Sequence, residues 1–187
     1  MRTLILNGSP RPEGDTARLL ALLTAELKGD FLRMDAYRSD IGPCVDCRYC
    51  WTRPGCAIRD GMQEIYDYLP ECDNVLIASP IYFSELTGRL LEVGSRLQTC
   101  FCGRYFRGEE PLPKAKRGAV LLVGGGDGSM AKAYDTARTL LRHMRCTEIH
   151  ELVKSHNTNR VPALQDPAAI EGIRKILAFF NEERRGG

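Results

Sequence analysis

Four of the chain's eight cysteines, Cys44, Cys47, Cys50 and Cys56, fall within thirteen residues as C-x2-C-x2-C-x5-C. The first three have the compact spacing by which one short loop puts thiolates on three irons of a cubane, with a fourth ligand arriving from farther along. Other chemistries compete for them. Four thiolates also suit tetrahedral zinc, although zinc modules usually pair two C-x2-C elements across a longer gap, and without metal the same residues are free thiols. Cys47 and Arg53 fit the C-x5-R of tyrosine phosphatases, but Arg48 to Thr52 contains no glycine to turn amides toward a phosphate, so the match is read as coincidence. Cys72, Cys100, Cys102 and Cys146 are scattered and read as buried or incidental thiols.

Three further segments have the residue types to hold an organic cofactor. Asn7 to Thr16 offers the hydroxyls of Ser9 and Thr16, the guanidinium of Arg11, and amides exposed by Gly8 and Gly14 at the start of a helix, where an anion is favoured. It lacks the lysine of a Walker A loop, and an ordinary strand-to-helix turn has a similar composition. Ser79 to Thr87 contains Pro80, Ile81, Tyr82, Phe83 and Ser84, a polar turn whose two aromatics could support a planar ring. Gly124, Gly125, Gly126 and Asp127, followed by Gly128 and Ser129, let backbone approach a flat ligand closely. Gly126, Gly128 and Ala131 also fit G-x-G-x-x-A, a weak match in a glycine tract this dense. His143 and His150 read as packing or surface residues, and His156 sits in a polar loop within reach of a cofactor or partner.

What must position these loops is an alternation of short apolar runs with helical periodicity. Strands are expected at Leu4 to Leu6, Phe31 to Met34, Asn74 to Ala78, Arg117 to Val123 and Thr147 to Val153. Between them, a helix from Asp15 to Leu27 carries Leu19, Leu20, Leu23 and Leu27 on one face. Asp60 and Gln63 form a capping-box signal for a helix with Met62, Ile65, Tyr66 and Leu69. Thr87 to Leu97 is the next helix, and Ser129 can cap another that carries Met130, Ala133, Ala137, Leu141 and Met144. Asp166 followed by Pro167 marks the start of the last helix, with Ile170, Ile173, Leu177 and Phe180 inward. Five strands joined by helices imply an α/β fold: a doubly wound, flavodoxin-like five-stranded parallel sheet of order 2-1-3-4-5 with helices on both faces. Ligands in such sheets sit outside the carboxyl ends of the strands, where all three candidate loops fall. The segments 36–59 and 98–116 read as long loops, of the kind that carry function or make an interface.

Composition bounds the rest. A chain of 187 residues with 43% hydrophobic and 27% charged residues and a net charge of +2 is expected to form one globular domain over 1–187. The balance gives no field for nucleic acid or an anionic membrane. Met1 to Gly14 has too short an apolar run for a signal peptide, and no stretch is long enough to span a bilayer, so a cytoplasmic protein is expected.

In combination, Gly8-Ser9-Pro10-Arg11 with Gly14 and Thr16, Ser79-Pro80-Ile81-Tyr82, and Gly124-Gly125-Gly126 resemble the NADPH-dependent FMN reductase group of flavodoxin-like proteins. The position of the cysteine loop, between the second strand and second helix, resembles that of the iron-sulfur flavoproteins, a branch of the same family. The resemblance implies bound FMN, with Ser9, Arg11 and Thr16 on the phosphate and Pro80 to Ser84 and Gly124 to Asp127 flanking the isoalloxazine. It also implies one [4Fe-4S] cluster ligated by Cys44, Cys47, Cys50 and Cys56, though relatives with similar loops can lack it. The function implied is an NAD(P)H-dependent flavin oxidoreductase or electron-transfer flavoprotein. Its donor would be a nicotinamide nucleotide or a ferredoxin-like protein, its acceptor a small molecule, and its assembly a homodimer or homotetramer. The rival class is a non-catalytic flavodoxin-type carrier. One position departs from the family, which commonly has Asn where this chain has Asp15; a carboxylate beside a phosphate is repulsive unless it points away.

Overall fold

The structure, a computed structural model, describes residues 1–182. Its elements in chain order are β1 (Arg2–Asn7), α1 (Asp15–Glu26), β2 (Asp30–Asp35), α2 (Tyr49–Thr52), α3 (Met62–Tyr68), β3 (Asn74–Pro80), α4 (Gly88–Ser95), α5 (Gln98–Arg107), β4 (Lys116–Val123), α6 (Ala131–His143), β5 (Cys146–Ile149), β6 (Val153–Ser155) and α7 (Pro167–Asn181). The strands form a wholly parallel sheet in the order β2-β1-β3-β4-β5, with β6 also pairing β4.

The apolar runs are unbroken because both sheet faces are covered. Side chains alternate between faces along a strand. Leu4, Leu6, Val75, Ile77, Val120 and Leu122 point into one core with Met62, Ile65, Leu90, Val93 and Leu141 from α3, α4 and α6. Ile5, Leu76, Ala78, Ala119 and Leu121 point into the other, against Leu19, Leu20 and Leu23 of α1 and Ile173, Ile176 and Phe180 of α7. Every residue of β4 is buried, so truncating a central one such as Leu121 to Ala costs about 2–5 kcal/mol. At the start of α7, Asp166 accepts from Ala168 N (3.0 Å) and Ala169 N (3.3 Å), Pro167 occupies the first turn, and Ser155 Oγ donates to the same carboxylate at 2.8 Å. That cap ties β6 to the helix beneath it.

Three expectations are corrected. The fifth strand, expected at Thr147 to Val153, is two strands. Relative to β4, the pairing slips by one residue between Lys116 and Arg117, and by one more between Gly118↔Ile149 and Leu121↔Val153. The polar residues between Ile149 and Val153 take up that slack. Second, 98–116 is not a loop throughout: α5 fills its first half, presenting the small residues Thr99, Cys100, Cys102 and Gly103 inward and ending at Gly108 in the left-handed conformation (φ 65°). The segment's large aromatics, Phe101, Tyr105 and Phe106, are on its exposed side and its buried face is made of small residues, so no stripe of large apolar residues marks the helix. Third, the reciprocal capping box does not form: Asp60 accepts from Met62 N (3.1 Å), but Gln63 Nε2 donates to Ile58 O (3.1 Å), and the Asp60 carboxylate is bound elsewhere. Among the described residues, no helix is long and apolar enough to cross a membrane.

Candidate functional site

The loops after β1, β3 and β4 enclose a cavity of about 480 Å³ at the carboxyl ends of the strands. From the first loop, Ser9, Arg11, Asp15 and Thr16 line it, and Gly14 does not. The loop is held from below. Gly8 N donates to Ala78 O (2.8 Å), Ser9 N to Asn7 Oδ1 (3.0 Å), and Asn7 Nδ2 to Asp35 Oδ1 (2.6 Å). Thr87 Oγ1 donates to Gly8 O (2.9 Å), and a Cβ on Gly8 would lie 2.8 Å from that hydroxyl and 2.9 Å from Ser79 Oγ, so no other residue fits without displacing the neighbouring loop. Gly14 caps α1 in an extended conformation without a side-chain bond, leaving the helix's first amides for an anion. Asp15, the position that departed from the family pattern, is fixed at the cavity wall: its Oδ1 accepts from Ala163 N at 2.9 Å.

From the second loop, Pro80, Ile81 and Tyr82 line the cavity, while Phe83 and Ser84 do not. Phe83 and Ser84 have φ of 52° and 62°, and Tyr82 and Glu85 exchange backbone hydrogen bonds at 3.0 Å, which makes the tip a tight turn built on two left-handed non-glycine residues. The turn holds the Phe83 ring fully in solvent beside the cavity mouth. From the third loop, Gly125 and Gly126 line the cavity, and Gly124 and Asp127 do not. The glycine tract is fastened by its carbonyls: Gly124 O accepts from Thr158 N (3.1 Å), Gly125 O from Asn159 N (3.2 Å) and Gly126 O from Asn157 N (2.9 Å). Thr158 and Asn159 themselves line the cavity and were missed. Their signal was topological: a strand pairing β4 must release its loop beside the glycine tract. His156 lies in this loop without lining the cavity.

The cysteine loop makes a second cavity, of about 400 Å³, against α4 and α5. Cys44, Cys47, Cys50 and Cys56 all line it, and so does Cys102 of α5, which is therefore not incidental. The loop bends through left-handed Asp46 (φ 48°) and Arg48 (φ 59°). Cys44 N donates to Ser95 Oγ (2.9 Å), Thr99 Oγ1 to Gly55 O (2.9 Å), and Arg107 Nη1 to Cys50 O. Trp51 stacks on Phe106 with ring centroids 4.2 Å apart. Burial, then the adjacent Cys102 thiol, push the Cys50 thiol up to about 12. No three Cys, His, Asp or Glu side chains among the described residues meet at a single ion position. The four cysteines line one cavity. Mononuclear zinc requires all four within about 2.3 Å of one point, whereas a cubane takes each thiolate on a different iron.

One helix joins the cavities. Thr87, the N-cap of α4, bonds the β1 loop, and Ser95, its last residue, bonds Cys44 N. Eight residues at 1.5 Å each separate the two anchor points by about 12 Å.

A doubly wound parallel sheet with a helix N-terminus, an aromatic turn and a glycine tract gathered at the carboxyl ends of its strands is the architecture of an α/β protein of the flavodoxin type. The profile of the NADPH-dependent FMN reductases matches residues 1–159, and the chain belongs to that family. An iron-sulfur flavoprotein of Methanocaldococcus jannaschii is 30% identical over 95 residues, 48% of each chain. A second from the same organism is 31% identical over 128 residues, 67% of this chain and 62% of the relative. One from Archaeoglobus fulgidus is 28% identical over 131 residues, 68% of this chain and 56% of the relative, so the matches span about half to three fifths of these relatives' length. Among solved structures, an NAD(P)H:quinone oxidoreductase from Methanothermobacter marburgensis superposes with a TM-score of 0.70 at 14% identity, covering 99% of both chains. An FMN-dependent NADH-azoreductase from Bacillus anthracis, in complex with FMN, gives 0.69 at 11% identity over 97% of this chain and 99% of the other. These likenesses are of fold.

Proposed function

We propose that the chain is an FMN-dependent oxidoreductase that also carries a [4Fe-4S] cluster on Cys44, Cys47, Cys50 and Cys56, taking electrons from a nicotinamide nucleotide or a ferredoxin-like donor and delivering them to a small-molecule acceptor. The observation that carries the reading is the joining of a nucleotide-type cavity and a four-cysteine cavity by the two ends of α4. The relatives named iron-sulfur flavoproteins support it. The first cavity fits FMN in the chemistry of its walls: hydroxyls, a guanidinium and first-turn amides at one end, and at the other Tyr82 with two glycines whose carbonyls are already engaged. Ser9, Arg11 and Thr16 would hold the phosphate, while Tyr82, Gly125 and Gly126 would flank the ring and exclude water from it. The second cavity fits a polynuclear cluster because four thiols line one wall-to-wall space.

When bound, FMN exchanges electrons in pairs with nicotinamides and singly with iron-sulfur centres, which store one at a time. The chain's residues hold the two groups at opposite ends of α4 and assign no side chain to proton transfer. The reading is tested by mixing FMN-loaded protein, free of oxygen, with NADH or NADPH and following nucleotide absorbance with a quinone or ferricyanide as acceptor. Oxidation of at least one nucleotide is expected. Inertness to both, with rapid reduction by ferredoxin, would remove the nucleotide from the reading and leave a carrier; inertness to all donors would refute the oxidoreductase reading. A reductase without a cluster is the alternative for the second cavity, and it corresponds to flavin turnover in protein that takes up no iron.

A further inference from the structure

The cysteine cavity contains a buried charge whose hydrogen bonding is incomplete. Arg96 is 2% exposed and forms part of the cavity wall. Its Nη1 donates to Asp60 Oδ2 (2.7 Å) and Gly42 O (3.0 Å), and its Nη2 to Asp60 Oδ1 (3.1 Å) and Ile58 O (3.3 Å). Those bonds clamp the cysteine loop at both ends, just before Cys44 and just after Cys56. The third nitrogen, Nε, is buried and has no partner among the described residues. Buried guanidinium donors are rarely left unpaired, because losing water without replacing it is costly. A missing acceptor at this point is therefore informative.

The polar groups bonded around Arg96 are already engaged, and a sulfur lies on the same wall. The carboxylate that pairs with Arg96 is already bidentate on the other two nitrogens, and Tyr66 Oη spends its proton on Arg96 O at 2.8 Å. On the same cavity wall lies Cys56, two residues before the Ile58 whose carbonyl accepts from Arg96 Nη2. As a thiol it is a poor acceptor; as a thiolate bound to iron it is a good one. Resting on the cluster reading above, we propose that Arg96 Nε–H donates a hydrogen bond to the Cys56 sulfur of the ligated cluster, and that this buried Arg96–Asp60 pair raises the cluster's reduction potential.

The direction follows from charge. Reduction adds an electron to an already anionic cluster, and a donor on a ligand sulfur stabilises the more negative state more than the less negative one. Arg96 is a positioning residue here and touches no substrate. Lysine in its place keeps the charge and can reach Asp60, but has no atom equivalent to Nε.

The test begins with the unaltered chain, labelled with 15N only at arginine Nε and loaded anaerobically with ferrous iron and sulfide. After dithionite reduction, pulsed electron paramagnetic resonance is expected to show one 15N coupling to the cluster, absent from identically labelled Arg96→Lys. In a redox titration of Arg96→Lys, the reduced-to-oxidised ratio at a fixed potential should fall about tenfold, a shift of about 59 mV to more negative values for one electron. A loaded chain with no 15N coupling, or an Arg96→Lys variant with an unchanged midpoint, overturns the inference. If Arg96→Lys fails to take up iron, the coupling in the unaltered chain decides alone. A chain that takes up no iron at all instead overturns the cluster reading on which the inference rests, so the two failures are separable.

Discussion

Asp15→Asn should tighten FMN binding, although it removes a hydrogen-bonded carboxylate from a helix N-terminus. In the structure Asp15 begins α1, lines the nucleotide cavity, and accepts from Ala163 N at 2.9 Å. Asparagine retains an amide oxygen for that bond but loses the charge. A phosphate monoester carries close to two negative charges at pH 7. A unit pair 4 Å apart interacts by about 1 kcal/mol in water and about 4 kcal/mol at an effective dielectric of 20. Because Asp15 is half-exposed and turned toward Ala163, the aqueous figure applies, doubled for the phosphate: about 2 kcal/mol, or roughly 30-fold in Kd. Against this, the helix loses an acidic residue from its first turn, about 0.3–1 kcal/mol, so the cofactor-free variant should melt a few degrees lower. The assay is titration of cofactor-free protein with FMN, followed by flavin fluorescence, at low and high salt and at pH 7 and 5. The gain should shrink at 1 M salt, where the Debye length is about 3 Å, and roughly halve at pH 5, where the phosphate has taken up one proton and is a monoanion. Unchanged or weaker binding, or a gain indifferent to salt, would refute the placement of the phosphate beside α1.

Other perturbations address other parts of the architecture. In Gly125→Ala the new Cβ would meet Asn159 Nδ2 at 2.7 Å, so the carbonyl-fastened tract must shift, and FMN affinity should fall by about 1–3 kcal/mol in the same titration. Cys47 is exposed, so Cys47→Ala should leave FMN affinity and melting temperature unchanged while abolishing the cluster's visible absorbance; equal loss of both would make the loop a structural element only. Burial alone would raise the Asp60 pKa, but the Arg96 guanidinium and the Met62 amide outweigh it and hold the carboxyl below its ordinary value of 3.8. A depressed folded value means the stabilisation is complete above that ordinary value and lost as pH falls through the folded one. Urea midpoints of the unaltered chain should therefore drop on acidification below about pH 4, whereas Asp60→Asn should lack that limb and be about 3 kcal/mol less stable at pH 7.

The sheet order and both cores could be read from sequence because strands buried on both faces are short unbroken apolar runs, and α1, α6 and α7 carry clear stripes of large residues. Helix α5 could not, since its buried face is the small residues Thr99, Cys100, Cys102 and Gly103 while its large aromatics Phe101, Tyr105 and Phe106 are exposed. Spacing also grouped Cys44, Cys47, Cys50 and Cys56, which line one cavity, yet missed Cys102 and Arg96, which reach it only through the packing of α4 and α5 on the loop. Asp15 shows the same limit: its identity suggested repulsion, but nothing near it in sequence marked the bond to Ala163, 148 residues away, that fixes the carboxylate where it lines the cavity. Local chemistry was legible wherever the partners were close in sequence.

The most direct measurement is a count of flavin and iron per chain in protein purified without oxygen and offered FMN, iron and sulfide, with the absorption spectrum recorded alongside. One FMN and four irons per chain are expected, with flavin bands near those of free FMN and a broad cluster shoulder that disappears in Cys47→Ala. A chain that retains no FMN contradicts the assignment of the cavity at the ends of β1, β3 and β4, whatever its iron content.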